Sequence, residues 1–119
     1  MTKHTIGMQG QEAAKQFLIG KGFEIIKENY RLRSSEVDII AKDGEYTVFV
    51  EVKYRKGLSH GLPRESVGRA KQRKIIKAAM HFIQATEKTE QDYRFDVVEI
   101  LEQDGKLYAN HIENAFWVS

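Results

Sequence analysis

The sequence has no cysteine, and this absence excludes several classes of protein. Without cysteine there is no disulfide framework and no thiolate zinc site, so nothing points to a small secreted scaffold. A single proline and an ordinary apolar fraction of 41% argue against a disordered chain. No apolar run approaches the ~18 residues of a membrane-spanning helix, and the start MTKHTIGMQGQ lacks the apolar centre of a signal peptide. These features predict a soluble, cytoplasmic protein with no membrane attachment.

Several familiar catalytic motifs are missing as well. The four histidines are scattered without the spacing of metal ligands. The sequence contains no zinc motif, no phosphate-binding Gly-Lys-Ser loop and no histidine-led nuclease motif. A chain of 119 residues is long enough to bury a core and fits one domain, so we expect a single domain over residues 1–119.

The distribution of charge along the chain is more informative about binding partners than the net charge of +2. Residues 53–77 hold nine basic side chains against one acidic side chain, whereas the rest of the chain holds ten basic and sixteen acidic ones. A basic segment within an otherwise acidic chain is typical of a surface that binds a polyanion. A solvated helix surface explains the same pattern equally well.

Hydrophobic periodicity predicts the element order α-β-β-β-α-β-β, a mixed α/β fold with helices packed at a sheet. The predicted helices cover residues 10–22 and about 66–84, and the predicted strands cover 23–32, 35–41, 45–54, 93–101 and 107–118. Glycine at 20 or 22 is expected to end the first helix. In the second helix we expect a buried stripe formed by Ile76, Ala79, Met80 and Ile83.

Two neighbouring strands carry acids among apolar residues. In VFVEVKYRK the valines alternate, which places Glu51 and Lys53 together on the opposite face. In SEVDIIA we expect Asp38 to lie opposite an apolar row formed by Val37, Ile39 and Ala41. The Asp-Gly turn at residues 43–44 predicts a hairpin between the two strands. If the polar faces coincide, Asp38, Glu51 and Lys53 converge on one point.

Such a group suits phosphate chemistry. Two carboxylates can hold Mg²⁺, which lowers the pKa of a bound water and offsets charge on a phosphate under attack. A neighbouring lysine can hold the attacking water and stabilise the same charge. The pattern alone favours a plainer interpretation, cross-strand ion pairs on a solvated sheet face. Glu36 is interpreted as a solvated strand-edge acid or as an acid supporting the site, and Asp96 as a structural partner of Arg94 or of nearby backbone.

Asp38 followed by Glu51-Val52-Lys53 resembles the PD-(D/E)XK signature of restriction-endonuclease-like nucleases, although Val37 stands where that signature has proline. A longer ordered set of segments resembles the YraN-like family of uncharacterised bacterial proteins over nearly the whole chain. These segments are GxxGxEAA in the first helix, ENYRLRSSEVDIIAKDG, VFVEVKYR, RFDVVEI and HIENAF.

The resemblance implies a restriction-endonuclease-like fold similar to that of archaeal Holliday-junction resolvases, which act as homodimers on branched DNA. It implies a Mg²⁺-dependent, structure-selective DNA endonuclease that hydrolyses phosphodiester bonds, with Mn²⁺ as a substitute ion and a homodimeric assembly. The alternative is a nucleic-acid-binding protein that keeps the nuclease fold without turnover.

The resemblance also assigns residues. Asp38 and Glu51 are expected to be metal ligands and, with Lys53, catalytic residues. Resolvase-like nucleases use a further glutamate from the first helix; Glu12 is the candidate here, because Gln11 stands where relatives often have glutamate. Contacts to nucleic acid are expected from six basic residues: Arg31, Arg33, Arg55, Lys71, Lys74 and Lys77.

Overall fold

The structure, a computed structural model, describes residues 3–56, 67–86 and 92–117, with side chains from residue 10 onward. The order of elements matches the order expected from the sequence and confirms the α/β class. The first helix begins earlier than expected, and the expected start of the second helix at residue 66 lies outside the described residues. The elements are α1 (Lys3–Gly20), β1 (Glu24–Arg31), β2 (Glu36–Asp43), β3 (Tyr46–Lys56), α2 (Arg69–Ala85), β4 (Asp92–Gln103) and β5 (Lys106–Phe116).

The five strands form one mixed sheet in the spatial order β1-β2-β3-β4-β5. Strands β3 and β4 are parallel, and every other neighbouring pair is antiparallel. A parallel pair needs a long crossover connection, and α2 lies in the chain between β3 and β4 to supply it. The predicted turn at Asp104 and Gly105 has positive φ at both positions, 53° and 75°, as a two-residue hairpin that follows the twist of its strands requires.

Each face of the sheet is covered by one helix. On one face Val48 and Val50 of β3 pack with Ala14 and Leu18 of α1. On the other face Phe49 of β3 packs within a cluster that includes the buried residues of α2. Since side chains alternate along a strand, this arrangement directs Glu51 and Lys53 toward the face covered by α2.

Helix α1 ends as its glycines predicted. The amide of Phe23 donates to the carbonyl of Leu18 at 3.0 Å, and the amide of Gly22 donates to the carbonyl of Ile19 at 2.9 Å. Gly22 has φ of 96°, the left-handed conformation that this double hydrogen-bond motif needs after a helix. No helix in the described ranges is long and apolar enough to cross a membrane.

Two details of the predicted side-chain faces are wrong. The fully covered stripe of α2 lies one residue earlier than expected and consists of Ile75, Ala78, Ala79, Phe82 and Ile83, with Ile76 and Met80 only partly buried at its edge. In β2, Val37 packs in the cluster under α2 while Ile39 and Ala41 pack under α1. This break in alternation coincides with positive φ, 53°, at Asn29 of the paired strand β1.

Candidate metal and phosphate site

The hairpin of β2 and β3 brings Asp38 close to Glu51. Regular pairing of the two strands reaches Ile39 opposite Val50, and the two acids are the next residue on each strand. Beyond that point Asp38 still contacts β3, because its Oδ2 accepts a hydrogen bond from the backbone amide of Val52 at 2.8 Å. This bond holds the Asp38 carboxylate beside the segment that carries Glu51 and Lys53.

Glu51 is buried, with an exposed fraction of only 4%. Its Oε1 lies 3.9 Å from Nζ of Lys53 and 3.7 Å from Nζ of Lys71 in α2. Its Oε2 is buried and has no hydrogen-bond partner in the part of the chain that the structure describes. An unsatisfied buried carboxylate oxygen costs free energy, so this oxygen is suited to accept a ligand.

Both carboxyl groups have raised pKa values. Burial raises the pKa of Glu51 to about 7, and the charge of Asp38 adds to that rise while Lys71 and Lys53 oppose it. Burial likewise raises the pKa of Asp38 above its ordinary value, against the lowering effect of the Val52 amide. Two acids that are desolvated and repel each other bind a cation more readily than exposed acids do, because the cation relieves both costs.

The residues present suit Mg²⁺. That ion prefers oxygen ligands, keeps several of its waters and is commonly bound through one or two carboxylates. Asp38 and Glu51 supply two carboxylates, and the unpartnered Oε2 of Glu51 supplies a free acceptor. Within the described ranges no group of three or more histidine, aspartate and glutamate side chains is arranged to hold an ion, so the fit depends on these two acids and on water.

Lys71 lies beside the acid pair, a position that the sequence did not indicate. It was expected to contact the DNA backbone, whereas its ammonium group faces Glu51 from the first turns of α2. Its charge lowers the pKa of both acids. One basic residue among many on a predicted helix gives no signal of this role, because only the docking of α2 on the sheet selects it. Glu36 pairs with Arg31 at 3.2 Å, and its charge also reaches both acids.

The structure does not bring Glu12 to this group. Helix α1 packs on the other face of the sheet, and the Glu12 side chain is 58% exposed. Its contacts lie on its own helix, since Oε1 accepts a hydrogen bond from Gln16 and Oε2 lies 3.9 Å from Nζ of Lys15. Gln11, one residue earlier, is more covered than Glu12.

The six basic residues expected to contact nucleic acid fall into different environments. Arg33, Lys74 and Lys77 are exposed. Arg55 has only 10% of its side chain exposed and pairs with Glu99 at 3.0 Å, so it is a poor candidate for a DNA contact. Arg31 is exposed but engaged with Glu36, and Lys71 belongs to the acid pair.

Asp96 is a structural residue, as expected. It is fully buried and accepts hydrogen bonds from Arg94, from His111 at 2.7 Å and from the backbone amide of Asn114 at 3.1 Å. Burial by itself would raise the pKa of Asp96, but these hydrogen bonds outweigh it and hold the pKa below the ordinary value. Arg94 also reaches Asp43, so the network ties β4 to β5 and to the end of β2.

The sequence of this chain matches a protein family and several individual proteins. The sequence profile described as "Uncharacterised protein family UPF0102" matches residues 10–100. The chain belongs to this family. A UPF0102 protein of Chlorobium limicola is 44% identical over 96% of this chain and 93% of its own length. Another, from Caldicellulosiruptor saccharolyticus, is 43% identical over 98% of this chain and 100% of its own length. The family resemblance expected from the sequence is confirmed.

The UPF0102 profile covers the whole candidate site. Its match at residues 10–100 includes Asp38, Glu51, Lys53 and Lys71. A third relative, from Carboxydothermus hydrogenoformans, is 35% identical over 96% of this chain. These relatives carry the family name alone, so membership in the restriction-endonuclease superfamily stays a prediction from the sequence signature.

Proposed function

We propose that this UPF0102 protein is a Mg²⁺-dependent DNA endonuclease that hydrolyses phosphodiester bonds. The observation that carries the proposal is the pair Asp38 and Glu51, two close acids of which one is 4% exposed and has an unpartnered carboxylate oxygen. Two lysine ammonium groups flank that acid within 4 Å. A bound cation would satisfy this buried oxygen and offset the cost of keeping two acids together.

Each side chain has a role in this proposal. Asp38 and Glu51 hold the ion, and the hydrogen bond from the Val52 amide fixes Asp38 for that purpose. Mg²⁺ would supply Lewis acidity to a phosphate and to an attacking water. Lys53, with a side chain that is 27% exposed, is close enough to solvent to hold that water and to stabilise charge on the phosphate. Lys71 offers a second fixed cation from α2.

DNA is the proposed substrate, and branched DNA is the proposed preference. The exposed Lys74 lies one helical turn from Lys71 on α2, which gives a duplex backbone a second positive charge on this part of the helix. The preference for branches and the homodimeric assembly rest on the resemblance to resolvases, as does the expectation that Mn²⁺ replaces Mg²⁺. A DNA-processing role fits a cytoplasmic location.

One observation favours the alternative of binding without turnover. Lys53 and Lys71 already place two positive charges near Oε1 of Glu51, so the acids have partial compensation without an ion. Under that alternative the lysines contact phosphates and the acids serve only to orient them. Cleavage would then be absent with every divalent ion, and DNA affinity would not depend on Mg²⁺.

The test is cleavage of branched, flapped, single-stranded and duplex DNA with Mg²⁺, with Mn²⁺ and with chelator, beside calorimetric titration of Mg²⁺. The matched variants are Asp38→Asn and Glu51→Gln, with Glu45→Gln as an exposed control on the same hairpin. We expect each site variant to lose Mg²⁺ binding and to cut cleavage by at least ~10²-fold, as loss of one preorganised electrostatic element does. Unchanged Mg²⁺ affinity in both site variants would rule out the metal site.

A further inference from the structure

We propose that a groove between α2 and the end of β5 binds an unpaired nucleotide strand, with Trp117 as the stacking platform. The inference deepens the proposed nuclease function, on which its choice of DNA rests, by assigning a preference for substrates that contain single-stranded DNA. The groove is separate from the acid pair and uses none of its residues. Its lining includes Arg69, Arg73, Ile76, Lys77, Phe116 and Trp117.

The groove has the size and floor of a binding site. Its volume is about 840 Å³, within the range of ~300–1,000 Å³ that is usual for sites that enclose small ligands. Phe116 is buried and Ile76 is partly buried, and both pack in the cluster beneath α2. The floor is therefore apolar and anchored to the core, while the rim carries charge.

Trp117 supplies a free aromatic surface at this rim. Its side chain is 69% exposed, the largest exposed fraction among the large apolar residues of the described chain. An exposed indole beside cations matches the surfaces on which single-stranded nucleic acids stack their bases. A base reaches such a ring only when it has left the duplex stack, so this feature selects unpaired nucleotides over paired ones.

The cations of the groove lie on one side of α2. Arg69, Arg73 and Lys77 follow one another at intervals of four residues, which aligns them along a single helix face. All three are exposed, and none of them makes an ion pair with a residue of the described ranges. A track of exposed positive charge in the same groove as an aromatic ring is complementary to a phosphate backbone with splayed bases.

The same helix links the groove to the acid pair. Lys71 lies between Arg69 and Arg73 in sequence but projects toward Glu51. Helix α2 therefore presents one cation to the acids and three to the groove. A DNA strand that crosses α2 meets both sites, which would place unpaired nucleotides in the groove while a nearby phosphate lies at the acids.

Trp117 is the only tryptophan of the chain, so tryptophan fluorescence, excited at a wavelength that tyrosine does not absorb, reports on this groove alone. The experiment titrates the full chain, in chelator, with a short oligothymidylate, with a duplex of the same length and with inorganic polyphosphate. We expect the oligothymidylate to quench the fluorescence and to bind more tightly than the duplex. Polyphosphate, which has charge but no bases, should not quench.

Variants separate stacking from charge. We expect Trp117→Ala to weaken binding of a labelled oligothymidylate, followed by anisotropy, by roughly 5- to 150-fold, and Trp117→Phe to restore part of the loss. Three phosphate contacts give a slope of about −2 for log affinity against log salt, and the double variant Arg73→Ala, Lys77→Ala should reduce it to about −0.7. Lys106→Ala, which removes one positive charge from an exposed position at the other end of β5, is the control and should change neither value.

The outcomes distinguish this proposal from the nuclease proposal. Quenching by oligothymidylate in chelator, without cleavage under any condition, supports the groove and refutes the nuclease. Cleavage that depends on Asp38 but leaves Trp117 fluorescence unaffected supports the nuclease and overturns the groove. Equal quenching by polyphosphate, or a duplex affinity equal to that of the single strand, also overturns the groove.

Discussion

Replacing Glu51 with glutamine should stabilise the protein at alkaline pH. The substitution keeps the shape of the side chain and removes its ability to ionise. Because Glu51 is buried and has a pKa of about 7, the folded protein keeps a proton on this group at pH values where the unfolded chain has lost it. The folded state must then give up that proton, and bear the cost of a buried charge, as the pH rises further.

The size of the effect follows from the pKa change. From the ordinary value of 4.5 to about 7, each unit corresponds to about 1.4 kcal/mol, which gives roughly 3 kcal/mol in total. Below pH 4.5 the group is protonated in both states and contributes nothing. Between 4.5 and 7 the stability of the parent falls, and above 7 the full cost remains. Since Asp38 and Glu51 repel each other, the pair titrates together, and removal of one charge also relieves the other.

Urea unfolding of the parent and of Glu51→Gln measures this difference in stability. The pH is varied from about 4 to about 8.5, a range that extends beyond both the unfolded and the folded pKa of Glu51. We expect near-equal stability at the acid end and a variant about 2–3 kcal/mol more stable at the alkaline end. Glu45→Gln, at an exposed position of the same hairpin, should show no such trend. Saturating Mg²⁺ should stabilise the parent at pH 8 and leave the variant nearly unchanged, since a ligand stabilises only the protein that binds it. A difference between variant and parent that stays flat with pH would refute the reasoning.

Three further predictions concern other residues. Lys53→Ala should retain Mg²⁺ affinity by calorimetry while lowering turnover of the preferred DNA, because its ammonium group acts on water and phosphate. Asp96→Asn should cost about 1.5–3 kcal/mol in urea unfolding at pH 7, since it weakens charged hydrogen bonds from Arg94 and His111 while Arg94 keeps its contact with Asp43. That loss should shrink as the pH falls below about 3.8, because the unfolded parent chain then binds a proton at Asp96 while the folded protein, in which the pKa is lowered, does so only at lower pH. Gly22→Ala should lower stability by about 1 kcal/mol, as its φ of 96° disfavours any side chain.

The order of helices and strands could be predicted because each element has a recognisable pattern within its own segment of the sequence. Alternation of valines in β3, the turn at Asp104 and Gly105 and the glycine after α1 are features of single segments, and the structure has each of them in the conformation that its local sequence predicts. The convergence of Asp38 and Glu51 followed from one hairpin. Such contacts span few residues, so the pattern carries enough information to place them.

The predicted surroundings of a side chain are wrong where they depend on packing between elements that are distant in the sequence. In α2 the apolar residues from Ile75 to Ile83 allow two adjacent stripes, and only the angle at which the helix meets the sheet selects the one that includes Phe82. In β2 the strict alternation fails at Val37, next to the point where the neighbouring strand β1 has positive φ at Asn29. Arg55 looked like part of a basic surface, yet Glu99 of β4 lies beside it and pairs with it. No local pattern contains these partners.

The role of the basic segment at residues 53–77 also depends on how distant elements pack, and the sequence does not show this. As a sequence it is one cluster of charge, and a combined replacement of Lys71, Lys74 and Lys77 would be taken as a test of one DNA-binding surface. The structure divides the cluster, since Lys71 lies 3.7 Å from Glu51 whereas Lys77 lines the groove with Trp117. Removal of Lys71 leaves both acids with less compensation and raises their pKa values, so it changes the proposed metal site as well as DNA contact. Removal of Lys77 changes only the charge along the groove. A combined variant would therefore mix two effects with different dependence on pH and on salt, and the two lysines have to be replaced one at a time.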